Sequence, residues 1–381
     1  MDEAASVSGL TDWGDPGFTA ALELLVESCR ATARLTPSGW DVLRRVLLRH
    51  LRNRLYLHAH VSAHPELAGR PIGPGPVVVT GLPRTGTTLL HNLLAQDPGN
   101  RVLRVWEALR PLPPGGVGAT EEELAARAEV WLERLYAMTP GFRAIHGATA
   151  KGPEECDVLL QNSFASQHFD DMFRADAYSE WLNGSDLTEE YAYHALQLRV
   201  LAGPTEDGRA WVLKSPSHLG YLGTVLATFP GARVVLCHRQ PVEAVASYAS
   251  LVAAVRAPHT DQVTPAEAGR HALRRCSIAM ARAMAARDGE GDDRFLDIRY
   301  TDLVGQPLAA VQRIYAWLGR PLPSAAEAAM GAWLRTHPQH GAGRHRYDPS
   351  VYGVGPREVS AALGPYLERF FPPGDGEVPR S

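Results

Sequence analysis

Short apolar runs alternate with helical periodicities along this 381-residue chain. Val77-Val78-Val79-Thr80 puts four β-formers in a row ahead of a Gly-x4-Gly loop, Gly81 to Gly86. Thr87-Thr88 follows, then Leu89, Leu90, Leu93 and Leu94 at helical spacing. The pattern predicts a buried strand, a tight loop and a helix start. Four further strands are predicted at 101–105, 211–214, 233–238 and 295–300. Helices fall between them, at 120–138, 154–166, 189–201, 217–229, from Pro241, at 264–287 and at 307–318. Strands alternating with helices imply an α/β fold, a parallel sheet covered by helices on both faces. Ligands of such sheets bind beyond the carboxyl ends of the strands.

Ahead of the first strand, residues 17–67 read as two helices. Thr36 and Pro37 cap and open the longer one, and Leu43, Val46, Leu47, Leu51 and Leu55 form its apolar face. The Gly- and Pro-rich stretch 69–76 links them to the core. The division expected is a helical segment over 1–74 packed on an α/β domain over 75–381. Residues 106–205 form a helical insertion in that domain. Phe164, His168, Phe169, Phe173, Tyr178 and Trp181 crowd part of the insertion, as a pocket wall or as helix packing.

Composition narrows the class. Hydrophobic and charged contents of 45% and 21% are globular values, and a net charge of -4 argues against a nucleic-acid surface. Cys29, Cys156, Cys237 and Cys276 are widely spaced and read as reduced, buried thiols in a cytoplasmic protein. The acidic N-terminus shows no signal-peptide pattern, and no apolar run approaches the ~18 residues of a membrane span. Only Lys151 and Lys214 are lysines, the remaining basic residues being arginines, a bias expected of a GC-rich bacterial genome.

The loop departs from the ATP-binding form in one respect. Gly-x4-Gly-Lys-Ser/Thr requires lysine at 87, where Thr87 stands, and the loop cation is Arg84 instead. Backbone N–H groups of such a loop converge at the positive end of a helix dipole, a cradle for phosphate or sulfate. Lys214 ends the third predicted strand and Arg239 follows the fourth, with Ser247 eight residues on along a helix. The rim thus offers two anion sites with a lysine between them.

Together these residues resemble the PAPS-dependent sulfotransferases. Pro83-Arg84-Thr85-Gly86-Thr87-Thr88 is similar to the loop that holds the donor's 5′-phosphosulfate in bacterial and tyrosylprotein sulfotransferases, where cytosolic enzymes have Lys for Arg. Arg239 with Ser247 resembles the pair that binds the 3′-phosphate, and Leu213-Lys214-Ser215-Pro216 and Arg299-Tyr300-Thr301-Asp302-Leu303 resemble segments of the family core. The resemblance spans roughly residues 75–320. It implies a P-loop-type sheet and metal-free, in-line transfer of a sulfuryl group from PAPS to a hydroxyl, phenol or amine. Arg84 and Lys214 would stabilise the leaving phosphate, and Arg84, Thr85, Gly86, Thr87, Thr88, Arg239 and Ser247 would bind the donor. A glutamate after the second strand is the base in some branches, which points to Glu107, or else to Glu107 as an arginine's ion-pair partner. Glu154 and Glu155 come next as bases, and His168 third by analogy with the cytosolic histidine. With Phe169, those three are placed at the acceptor. The late segment 337–356, with His337, His340, Arg344, His345 and Tyr347, corresponds to a basic stretch that folds over the nucleotide, with Arg344 as donor ligand. It lacks the Arg-Lys-Gly motif of cytosolic enzymes, and a metal site is the less favoured reading of its histidines. The acceptor expected is a small molecule such as a lipid or secondary metabolite, and a homodimer is left open. The rivals are a nucleotide-dependent kinase and a non-catalytic nucleotide-binding regulator.

Overall fold

The computed structural model describes residues 1–113, 118–139, 142–145, 147–202, 208–338 and 348–372. Five strands form one parallel sheet in the order β2-β3-β1-β4-β5: β1 Val77–Gly81, β2 Asn100–Val102, β3 Ala210–Lys214, β4 Arg233–His238 and β5 Phe295–Arg299. Register pairs Val79 with Lys214 on one side of β1 and with Val235 on the other. The carboxyl ends of the three central strands therefore share one rim.

Side-chain alternation divides the sheet's two faces. Val77, Val79, Val212, Val235 and Ile298 pack against Leu90 and Leu93 of helix Thr87–Leu94, Val311 and Ile314 of Pro307–Trp317, and Met330 of Ser324–Thr336. Val78, Trp211, Leu213, Val234 and Leu236 face Val245 and Ala249 of Pro241–Arg256 and Cys276 and Met280 of Pro265–Glu290. Phe18, Leu25, Leu43 and Leu51 of the N-terminal helices Phe18–Ser28 and Pro37–Ala63 join this second cluster. Thr36 caps the longer helix by accepting from the Gly39 N–H at 3.1 Å. All four cysteines are buried and unpaired, and burial pushes their thiols up to about 12. No helix among the described residues is long and apolar enough to cross a membrane.

The structure corrects three local expectations. The second strand ends at Val102, because Val105 already opens helix Val105–Leu109; it lies beside β3 at the sheet edge, not beside β1. The helix expected over 154–166 is one turn, Asp157–Leu160, with a 3₁₀ turn Gln161–Ser163, since Cys156 N–H is taken by the Lys214 carbonyl at 2.9 Å. Residues 216–221 form a 3₁₀ turn before helix Leu222–Thr228. Pro216 fits that turn's start, where an N–H is not required.

Candidate active site

The loop between β1 and helix Thr87–Leu94 is held from below and from the side. Thr85 Oγ1 donates to the Leu82 carbonyl at 2.7 Å. Gly86 caps the helix at φ +90°, and a Cβ there would stand 3.0 Å from Leu303 and 3.1 Å from Tyr300. Arg84 adopts φ +71°, unusual for a residue with a Cβ and worth on the order of 1–3 kcal/mol of strain. Two contacts oppose that strain: its Nε donates to Ser247 Oγ at 3.3 Å, and its carbonyl accepts from Arg239 Nη1 at 3.1 Å. Arg239 also stacks on Tyr300 (4.5 Å) and pairs with Glu243 one turn on. Arg84, Arg239 and Ser247, far apart in sequence, are one contact cluster beside the loop.

Lys214 ends β3 with its side chain 2% exposed. Its Nζ donates to Glu155 Oε1 at 2.5 Å and to Thr88 Oγ1 at 3.4 Å, which places it beside the first turn of the loop helix. Glu155 Oε2 and Asp157 Oδ2 each stand 3.8 Å from His168 Nε2. Asp157 is buried and accepts from Ser166 Oγ (3.0 Å), Ser215 Oγ (2.8 Å) and Ser217 Oγ. Lys214, Glu155, His168 and Asp157 thus alternate cation and carboxylate. Burial alone would lower the His168 pKa, but Asp157 and Glu155 outweigh it and hold the imidazole up at about 9. Among the described residues, Glu155, Asp157 and His168 are the one set of such groups close enough to share a cation. Lys214 and three serine hydroxyls already serve its carboxylates.

A cavity of about 1320 Å³ joins these parts. Arg84, Thr87, Thr88 and Arg239 line it at the anion loop, Glu155, Asp157 and His168 beside Lys214, and Val42, Val46, Leu109, Trp131, Leu135 and Met138 are among its apolar lining. Glu154 is also on its wall. Of the other expected site residues, Lys214, Thr85 and Ser247 stand behind the lining, bonded to Glu155, Leu82 and Arg84, and Glu107 and Phe169 are engaged elsewhere. Glu107 lies buried in an ion pair with Arg101 and accepts from the Arg104 N–H at 2.9 Å. It caps its own helix, Val105–Leu109, whose Val105, Ala108 and Leu109 line the cavity in its place. Phe169 is fully buried, stacked on Phe164 at 6.2 Å, so it packs helices instead of touching an acceptor. Arg344 lies outside the described residues. Sequence reasoning missed Asp157 and the lining residues Asp171, Tyr248 and Arg275. Arg275 Nη1 donates to Asp171 at 2.6 and 2.7 Å, and Tyr248 OH to the same carboxylate at 2.5 Å. The one available signal was an acid pair, Asp170-Asp171, inside an aromatic run.

A parallel sheet with a Gly-x4-Gly loop, an arginine in place of the ATP-type lysine and a strand-end lysine define a P-loop-type group transferase. The chain belongs to the sulfotransferase family, whose sequence profile matches residues 76–324. It is therefore an enzyme that transfers sulfuryl groups, and neither the kinase nor the regulator reading finds support. It superposes on sulfotransferase STF9 from Mycobacterium avium with a TM-score of 0.87, at 29% identity over 97% of this chain and 95% of that one. For sulfotransferase STF1 from Mycobacterium tuberculosis the values are 0.84, 30%, 96% and 97%. Among characterised sequences it is 24% identical over 333 residues to the omega-hydroxy-beta-dihydromenaquinone-9 sulfotransferase Stf3 of Mycobacterium bovis, covering 84% of this chain and 82% of that protein.

Proposed function

We propose that this sulfotransferase uses PAPS as donor and sulfates the hydroxyl of a molecule with a long apolar body. The observation that carries the reading is one continuous cavity lined by the anion loop, by Glu155 and by an apolar wall. The name of the menaquinone-modifying relative fits an acceptor of that kind. The loop residues Thr85, Gly86, Thr87 and Thr88 would hold the donor's 5′-phosphate, and Arg239 with Ser247 its 3′-phosphate.

In the reaction the acceptor oxygen bonds to sulfur while the bond from sulfur to the bridging phosphate oxygen breaks. The electron pair stays on that phosphate, where Arg84 and Lys214 stabilise it. The acceptor proton passes to Glu155, which replaces Glu107 as the base because it lines the cavity beside Lys214. His168 is the weaker choice, since its neighbours keep it protonated to about 9.

Turnover of labelled PAPS against primary alcohols of rising chain length tests this. Each added CH₂ that enters the cavity should lower KM about fourfold, from ~0.8 kcal/mol per methylene. Flat chain-length dependence, or thermal stabilisation by ATP–Mg and not by adenosine 3′,5′-bisphosphate, would sink the proposal. Glu155→Gln should abolish turnover, whereas Glu107→Gln should lower stability and leave the folded enzyme active. The reverse outcome would return the base to Glu107.

A further inference from the structure

Four arginines line the acceptor half of the cavity, in a wall that is otherwise largely apolar. Arg45, Arg49 and Arg52 lie on helix Pro37–Ala63, and Arg134 lies on helix Glu121–Met138. Spacings of four and three residues put the first three on one face of their helix. Arg49 reaches across to Trp131, its guanidinium 5.4 Å from the ring centroid, and Arg134 is three residues beyond Trp131 on the same facing helix. The four cations therefore gather around one junction between two helices.

None of the four has a carboxylate within ion-pair distance among the described residues. That sets them apart from Arg44, Arg101, Arg174, Arg256 and Arg275, each of which meets an acid. Arg49 Nε is buried without a hydrogen-bond partner. Its one recorded side-chain bond runs from Nη2 to His50 Nε2, at 3.1 Å. Burial and the neighbouring Arg52 pull Arg49 down to about 10, so it remains a cation at neutral pH. Buried polar groups are normally satisfied, so the half-buried Arg49 is costly unless a ligand brings the counter-charge, and the exposed Arg45 and Arg134 add cations beside it.

We infer that Arg45, Arg49, Arg52 and Arg134 form a second anion site, which binds a phosphate or carboxylate headgroup at the part of the cavity wall built by helices Pro37–Ala63 and Glu121–Met138. The inference rests on the proposed reading of this cavity as the acceptor site. It adds that the ligand is an amphiphile with an anion at one end of an apolar body. The anion belongs either to the acceptor itself or to the headgroup of a lipid on whose surface the enzyme works.

Calorimetry with decyl phosphate, which carries no hydroxyl to sulfate, tests the site without turnover. It should bind at least tenfold more tightly than decanol, from the charge-assisted bonds gained. Arg49→Gln with Arg52→Gln should remove that advantage. Arg45→Gln with Arg134→Gln, both at exposed positions, serves if the first pair does not fold. Retention of the thermal shift given by adenosine 3′,5′-bisphosphate shows that the fold is intact. Two arms separate the sources. A lower KM for 12-hydroxydodecanoate than for dodecanol, lost in the variants, assigns the anion to the acceptor. Sedimentation with phosphatidylglycerol vesicles but not phosphatidylcholine vesicles, lost in the variants, assigns it to a lipid surface. If decyl phosphate and decanol bind alike and both arms are flat, the anion site is refuted, while turnover of dodecanol would leave the acceptor reading standing.

Discussion

Replacing Lys214 tests the centre of the proposed mechanism, and the structure requires that stability and catalysis be measured together. The Nζ group is 2.5 Å from Glu155 Oε1, with side chains 2% and 12% exposed. Lys214→Met removes the nearest cation from a carboxylate that keeps His168 at 3.8 Å and lines the cavity. Breaking a buried pair costs roughly 3–5 kcal/mol, and the loss here should fall below that range because His168 and cavity water still serve the carboxylate. Glu155→Gln strands the lysine in the same way. In the double variant neither charge remains, so its loss should fall short of the sum of the single losses by at least ~1 kcal/mol. Urea unfolding followed by tryptophan fluorescence supplies all three values. The kinetics should follow a different rule. If Lys214 stabilises charge on the departing phosphate, kcat of the folded Lys214→Met enzyme falls on the order of 10²–10³-fold. The double variant regains stability and no turnover. Additive stability losses would refute the ion pair as an energetic unit, and recovery of kcat in the double variant would refute the catalytic role.

Arg239→Ala should weaken adenosine 3′,5′-bisphosphate by about 10–100-fold, from the ~1.5–3 kcal/mol of a lost charge-assisted bond, and unchanged affinity by calorimetry would remove Arg239 from the nucleotide site. His168 is held at about 9 against an ordinary 6.5, so its protonation adds stability that is complete below about pH 6.5 and lost as pH rises through about 9. The Tm gap between wild type and His168→Gln should therefore shrink from pH 6 to pH 10, and a constant gap would show that Asp157 and Glu155 do not set its titration.

The local chemistry of the chain was legible in order. Val77 to Thr88 specifies strand, loop and helix start through β-propensity, glycine spacing and leucine periodicity, all of which act within a dozen residues. The absence of lysine at 87, with Arg84, Lys214, Arg239 and Ser247 at their spacings, indicated two anion sites, and the resemblance to the sulfotransferases supplied the sulfuryl donor. Arg84, Lys214 and Arg239 sit at or just past strand ends and Ser247 on the helix after β4, and the alternation of strands and helices places all such strand ends on one rim whatever the strand order.

Strand order itself is not a local property. A crossover helix can return a strand beside its predecessor or one place further away, and the packing of whole faces decides between them. Here β3 takes the place beside β1 and leaves β2 at the edge. Glu107 pairs with Arg101 inside its own strand–helix segment, and Glu155 is brought to Lys214 through the bond between Cys156 N–H and the Lys214 carbonyl. The partners of Asp157 and Asp171 likewise come from segments as much as 60 and 104 residues away. Sequence determined which groups could hold an anion and carry out the transfer. Tertiary structure decided which carboxylate meets the lysine and which arginines line the cavity with no acid within ion-pair distance among the described residues, because charge pairing depends on distances in space that spacing along the chain does not encode.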